Sequence, residues 1–247
     1  MSLGQIEEQC ERGQLLLMEM KYLEAERVLA GAESQAWGAK AWDLLSRLYL
    51  PLQETRRQRR QRCGEGIVCL DLVARSASES IDADKIVGDI PHGQLLVAGW
   101  GTIEPALRVR KLAAERELYL ETFLAAVYPV ADGQVTVVVP NGAEAKMPAP
   151  TPRSLDALRG VLPADCLLLA PGELPAGKQG GSARSFALTM SLWERLHAPW
   201  LARAEAEADP LRKMRLFRET IEVDYGCEFA HQHLADVARA MRSPGAV

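Results

Sequence analysis

Ile67-Val68-Cys69-Leu70-Asp71-Leu72-Val73 decides the fold class. A single charge stands among apolar and β-branched residues, and Gly64 and Gly66 break the chain just before them. The run is short for a buried helix and too continuously apolar for a strand with one wet face, so it predicts a strand covered on both sides. Three more runs of this kind follow: Leu95-Leu96-Val97-Ala98-Gly99-Trp100, Val135 to Val139, and Cys166-Leu167-Leu168-Leu169-Ala170.

Helix signals fill the spaces between these runs. Ser76 and Glu79 have capping-box spacing ahead of Ile81, Ile86 and Val87, and Gly88 closes that segment before the Pro91-His92-Gly93 turn. Thr102 suits an N-cap and Pro105 a first helical turn, opening an amphipathic helix through Leu107, Leu112 and Leu118 toward Phe123. Thr151-Pro152 begins a short helix closed by Gly160. The alternation predicts an α/β fold with a mostly parallel, doubly wound sheet of about four or five strands. It occupies residues 64–181, with helical regions at 1–63 and 182–247.

Ligands of such sheets sit outside the carboxyl ends of the strands, where loops and helix N-termini converge. The rule selects Arg75-Ser76, Gly99-Trp100-Gly101-Thr102, Pro140-Asn141-Gly142 and Pro171-Gly172-Glu173. A further loop, Gly177-Lys178-Gln179-Gly180-Gly181-Ser182, offers backbone N–H groups and a cation ahead of a helix, a combination suited to phosphate. The candidate ligand residues are therefore Gly99, Trp100, Gly101, Thr102, Asn141, Gly142, Lys178, Gly180, Gly181 and Ser182. The competing readings are a tight turn at Gly99 to Gly101 and an interdomain hinge at residues 177–182, because neither loop has the spacing of a P-loop or of GxGxxG.

The 247 residues are 48% hydrophobic and 25% charged, a composition that excludes a disordered chain and allows one large domain or two smaller ones. A net charge of -4 points to no polyionic partner for the molecule as a whole. Five cysteines form no CxxC pair, and Cys69 and Cys166 lie inside apolar runs, so a reducing compartment is expected. With no leader-like segment and no apolar run near 20 residues, the expectation is a soluble, cytoplasmic protein without a membrane partner.

At the amino end, Leu15, Leu16, Tyr22, Ala25, Val28, Leu29 and Ala32 fall at helical spacing on two helices joined near Met20-Lys21. Gly13 marks a place where the second helix comes too close for a side chain. The pattern Gly13, Leu16, Tyr22, Glu24-Ala25, Leu29, Ala32 resembles a tetratricopeptide repeat, and Ala41, Trp42, Leu45, Ser46 and Tyr49 fit the first helix of a second one. Pro51 is then expected to interrupt the helix. Toward the carboxyl end, Pro199 is expected to kink or divide a helix over residues 182–208. Phe217 to Asp224 with Ala230-His231 and Leu234-Ala235 again resembles a junction between two repeats, although Lys213 stands for the usual alanine and Tyr225 for the usual proline. About one and a half repeats at each end imply helical surfaces that hold a protein or peptide, or that pair in a homodimer.

Arg56, Arg57, Arg59, Arg60 and Arg62 form a run without apolar neighbours. At about 100° per residue they spread around a helix, so the segment is expected to face solvent or to dock on something acidic. Arginine forks suit phosphate, which makes this run the candidate phosphate or nucleic-acid contact. Against it stand the acidic balance of the chain and the lack of interleaved aromatics for stacking.

Catalytic signatures are absent: no GxSxG, HExxH or paired CxxC occurs. Cys227 and His231 share a helix face, but His233 points about 200° away and Gly226 separates Asp224 from them, so no metal is expected. No cofactor follows from the residues. The leading expectation is an interaction or scaffold protein with an α/β core of unknown ligand; the alternative is a transferase, glycosyltransferase-like for example, that binds a nucleotide or other phosphorylated donor at the strand ends.

Overall fold

The computed structural model describes residues 2–131, 133–141 and 147–242. The fold is α/β, and the chain divides into two compact units: Met1–Arg60 together with His197–Val247, and Gln61–Leu196. The boundaries fall inside two long helices, α3 (Trp42–Glu65) and α7 (Ala183–Ala206).

Three parallel strands form the centre of the second unit: β1 (Ile67–Val73), β2 (Gly93–Trp100) and β3 (Leu120–Val130). Antiparallel strands extend them on both sides, with β4 (Gly133–Val138) and β5 (Leu167–Leu169) beyond β3 and β6 (Gln179–Gly180) beyond β1. The order is β5-β4-β3-β2-β1-β6. The crossover helices α4 (Ala83–Asp89) and α5 (Glu104–Glu115) share one core with Leu95, Val97, Leu124 and Val137 on a single face of the sheet. On the opposite face Phe123 stacks on Trp193 of α7 with centroids 4.2 Å apart, and Gln94 accepts a hydrogen bond from Thr189 Oγ1 at 2.7 Å. Both faces are covered, which is why the strands read as unbroken apolar runs. A short helix, α6 (Leu155–Arg159), is capped by Ser154 and ends at Gly160.

Three expectations for this unit need correction, the first being the short helix expected from Thr151-Pro152, which starts at Leu155 behind the Ser154 cap. The helix expected to reach Phe123 stops at Glu115, and the following segment is β3, the longest strand of the sheet. Its Ala125-Ala126 pair and two-sided burial erase the alternation that marks a strand. The helix after β1 starts at Ala83, capped by Asp82, while Glu79 instead accepts a hydrogen bond from the Arg75 backbone at 2.7 Å.

The first unit is helical: α1 (Leu3–Met18), α2 (Tyr22–Gly38), the first part of α3, the last part of α7, α8 (Pro210–Val223) and α9 (Glu228–Ala240). Both ends of the chain contribute to one core, in which Leu29, Leu45, Leu48, Tyr49, Phe217 and Leu234 are buried together. Burying each such side chain contributes about 1.5–3 kcal/mol. A Cβ on Gly13 would lie 2.5 Å from Leu29 Cγ, the close approach its place in the sequence predicts. Neither proline ends its helix. Pro51 lies inside α3 and Pro199 inside α7. Around Pro51 the buried Leu48, Tyr49 and Leu52 offset the roughly 3 kcal/mol cost of an interior proline.

Candidate functional site

Tyr49, Leu52, Arg56 and Arg60 recur on α3 at helical spacing, so one face of the helix is apolar at one end and cationic at the other. Glu26, Ala30, Glu33 and Trp37 form a comparable stripe on α2, setting two carboxylates about 10 Å apart along its axis. Glu26 accepts from Arg56 Nε at 3.1 Å and from Arg59 Nη1 at 2.6 Å. Burial works against its charge, but the two guanidinium groups outweigh it and hold the carboxyl below its usual range. Glu33 accepts from Tyr49 Oη at 2.9 Å and takes both Nε and Nη2 of Arg218 from α8, at 2.8 and 3.2 Å. The Arg218 guanidinium also lies over the Trp37 ring, 4.4 Å from its centroid. Burial, with Glu33 beside it, raises the Tyr49 phenol far above its normal value, so it remains a donor.

Deeper in, Arg60 is 3% exposed and donates from Nη2 to Asp224 Oδ1 at 2.7 Å. The other oxygen of Asp224 lies 2.6 Å from His197 Nδ1, and Gly226 N donates to Oδ1 at 3.0 Å. Burial disfavours the carboxylate, yet the Arg60 charge and the His197 hydrogen bond prevail and keep it strongly acidic. Burial likewise opposes a charged His197, but hydrogen bonds to Asp224 and Cys227 push it up to about 9. His231 is the opposite case. Its Nδ1 lies 2.8 Å from the Cys227 carbonyl and so carries the proton, leaving Nε2 to accept from Arg56 Nη1 at 3.0 Å. Burial and the nearby Arg56 charge push it down to about 3, and the ring stays neutral.

The arginine segment is therefore not solvent-facing throughout. Arg56, Arg59 and Arg60 turn inward onto Glu26 and Asp224, while Arg57 and Arg62 remain exposed and pair locally with Glu54 and Glu65. The acids that Arg56, Arg59 and Arg60 meet belong to this chain, and Arg60 is buried, contrary to the expectation of a segment facing solvent or an outside partner. These acids lie 30 or more positions away in sequence, so no local pattern announced them.

Between α2, α3 and α8 lies a cavity of about 190 Å³. Ala30, Leu52 and Ile221 give it apolar walls, and Glu33, Tyr49, Arg56, Arg218 and Glu222 its polar ones. Among the described residues, no acceptor pairs with Arg56 Nη2 or Arg218 Nη1. Two guanidinium groups, each fixed from behind by a carboxylate, thus keep N–H groups for an incoming acceptor. Arg218 and Glu33 were not singled out by the sequence, and Tyr49 only as part of the repeat-like pattern; the Glu26/Glu33 pair at i, i+7 beside an apolar stripe was the available signal.

Gly99 to Thr102, Asn141, Lys178 and Gly180 to Ser182 do not gather at one rim. Gly99 to Thr102 form a tight turn at the carboxyl end of β2, closed by a bridge between Gly99 and Thr102. Gly101 has φ +64, and a Cβ there would meet Pro150 at 2.5 Å, while Thr102 Oγ1 accepts from Glu104 N as α5 begins. Trp100 is half-buried in the same turn. Asn141 lies at the opposite rim, because β4 runs antiparallel to β3; its Oδ1 accepts from Arg110, which also binds the Thr122 carbonyl. Gly142 lies outside the described residues. Gly180 pairs with Ile67 at the amino end of β1, and Gly181 approaches the Gly64 backbone too closely for any side chain. Ser182 exchanges hydrogen bonds with Ser185 at the start of α7, and Lys178 is exposed.

Compared with protein-family models, curated proteins and solved structures, the chain shows no match. No helix among the described residues is long and apolar enough to cross a membrane.

Proposed function

We propose that the helical unit is a tetratricopeptide-like interaction module whose groove between α2, α3 and α8 holds an acidic segment of a protein or peptide partner. The observation that carries this reading is the pair of pre-set guanidinium groups, Arg56 and Arg218, on one cavity of about 190 Å³. Six or so water volumes fill that space, enough for a carboxylate-bearing side chain or chain terminus. The groups are held before any ligand arrives, Arg218 by Glu33 and Trp37, Arg56 by Glu26 and His231, so little ordering cost remains at binding. The close-packed Gly13–Leu29 crossing and the shared core of both chain ends support the repeat-like reading. The transferase alternative has less behind it, since Gly180 pairs at the amino end of β1 and Gly181 lies against Gly64, away from the carboxyl rim where a phosphorylated donor would be held.

Selection of random displayed peptides against the full chain, followed by counter-selection with Arg218→Gln, tests the proposal. Enrichment of acidic peptides that Arg218→Gln fails to retain is the expected result. Peptides of no charge preference, or retention unchanged by the substitution, contradict it.

A further inference from the structure

A second cavity, of about 210 Å³, opens at the carboxyl rim of the sheet, between the ends of β1, β3 and β5 and the start of β4. Its walls are apolar, with Leu70, Val127 and Leu169 buried beneath it. Its polar side chains are Asp71, Gln134 and Thr136; no lysine or arginine lines it.

These three groups offer more acceptors than donors. Asp71 stands in the irregularity of β1 between Cys69 and Leu72 and accepts from Gly177 N at 2.7 Å and from the Cys69 thiol at 3.3 Å. Each of its oxygens keeps further accepting capacity, and among the described residues no cation pairs with it. Gln134 uses one amide N–H on the Arg75 carbonyl at 2.5 Å, which leaves its Oε1 and its second N–H. Thr136 Oγ1 has no protein partner among the described residues and can accept as well as donate. Gly172, with φ +77, forms part of the rim, and a Cβ there would meet open space.

We propose that this cavity binds an organic cation, a primary ammonium carried on a short hydrocarbon chain. An ammonium brings three N–H donors and no acceptor, the complement of a site rich in oxygen acceptors. One carboxylate supplies the charge, and leucine and valine walls receive the chain. Room for about seven water volumes suits a ligand of roughly five to seven heavy atoms. A phosphate finds no donor cluster here, and the Asp71 charge repels it. The site is independent of the groove in the helical unit, so either can fail without the other.

Titration of the full chain with n-butylammonium chloride, sodium butyrate and 1-butanol at matched ionic strength, followed by amide resonances, is the test. Butylammonium is expected to shift the resonances of Asp71, Gly172 and Gly177 and to bind at least about tenfold more tightly than the other two. Asp71→Asn should weaken it by about tenfold or more and Thr136→Val by a smaller factor. If circular dichroism shows that Asp71→Asn does not fold, Thr136→Val decides alone: weaker binding supports the assignment and unchanged binding overturns it. Equal binding of butanol, tighter binding of butyrate, no shift at these residues, or full affinity in folded Asp71→Asn also overturns it.

Discussion

Arg60 Nη2 lies 2.7 Å from Asp224 Oδ1, with 3% and 1% of the two side chains exposed, across 164 residues of sequence. The pair joins the C-terminal part of α3 to the turn between α8 and α9, so the two chain ends meet at charges that water cannot reach. Removing one partner of a buried pair is costly because it strands the other. Asp224→Ala is therefore expected to cost about 3–5 kcal/mol in urea unfolding. Arg57→Gln and Arg62→Gln, whose pairs are exposed, should each stay within about 0.5 kcal/mol of the parent. Equal effects at all three positions would show that the buried pair has no special standing.

Stability should depend on pH in both directions. His197, raised from 6.5 to about 9, binds its proton more tightly in the folded state. Its contribution is complete below pH 6.5 and lost as pH rises through 9, a loss on the order of 2 kcal/mol once the roughly 3 kcal/mol of the full shift is reduced by solvent screening. His231, lowered from 6.5 to about 3, contributes fully above pH 6.5 and loses that contribution as pH falls toward 3. Asp224, held below its usual value of 3.8, adds to the loss in acid. Unfolding free energies measured from pH 4 to 10 should peak near 6.5, and His197→Gln should flatten the alkaline side while sparing the acid side. A level profile between pH 6.5 and 9 contradicts this.

Gly13→Ala tests the α1–α2 crossing. Alanine favours a helix over glycine by up to about 1 kcal/mol, but here its Cβ would press on the buried Leu29. Overpacking typically costs about 1–3 kcal/mol, so net destabilisation is expected in thermal unfolding. A rise in Tm would mean that the helices are further apart.

Lys40 has φ +51 just after α2, and Ala41 N reaches back to the Ala36 carbonyl. That left-handed position normally takes glycine. Lys40→Gly should stabilise the protein by about 0.5–1 kcal/mol, since it relieves backbone strain without removing a buried contact. A fall in Tm would argue against this turn geometry.

The glycine at position 13 was legible because a helix interior gives glycine few other uses. So was the α/β class, since runs such as Ile67 to Val73 suit only a sheet covered on both faces. β3 was hidden, because Phe123-Leu124-Ala125-Ala126-Val127 fits either period and no glycine or proline marks the turn between α5 and the strand. That omission removed the β3–β4 hairpin from view, and Asn141 was consequently assigned to the wrong rim. The groove was not legible either: Arg56 and Arg218 lie 162 positions apart in sequence and share one cavity only because the chain ends fold together.

The inward turn of the arginine segment is tested most directly by a double-mutant cycle on Arg60 and Asp224, each replaced by leucine and then both together, with stability measured by urea unfolding. Coupling of at least about 2 kcal/mol is predicted, the double variant being far less damaged than the sum of the single ones. Strictly additive losses, with coupling within about 0.3 kcal/mol of zero, would contradict it and would mean that α3 does not present Arg60 to the α8–α9 turn.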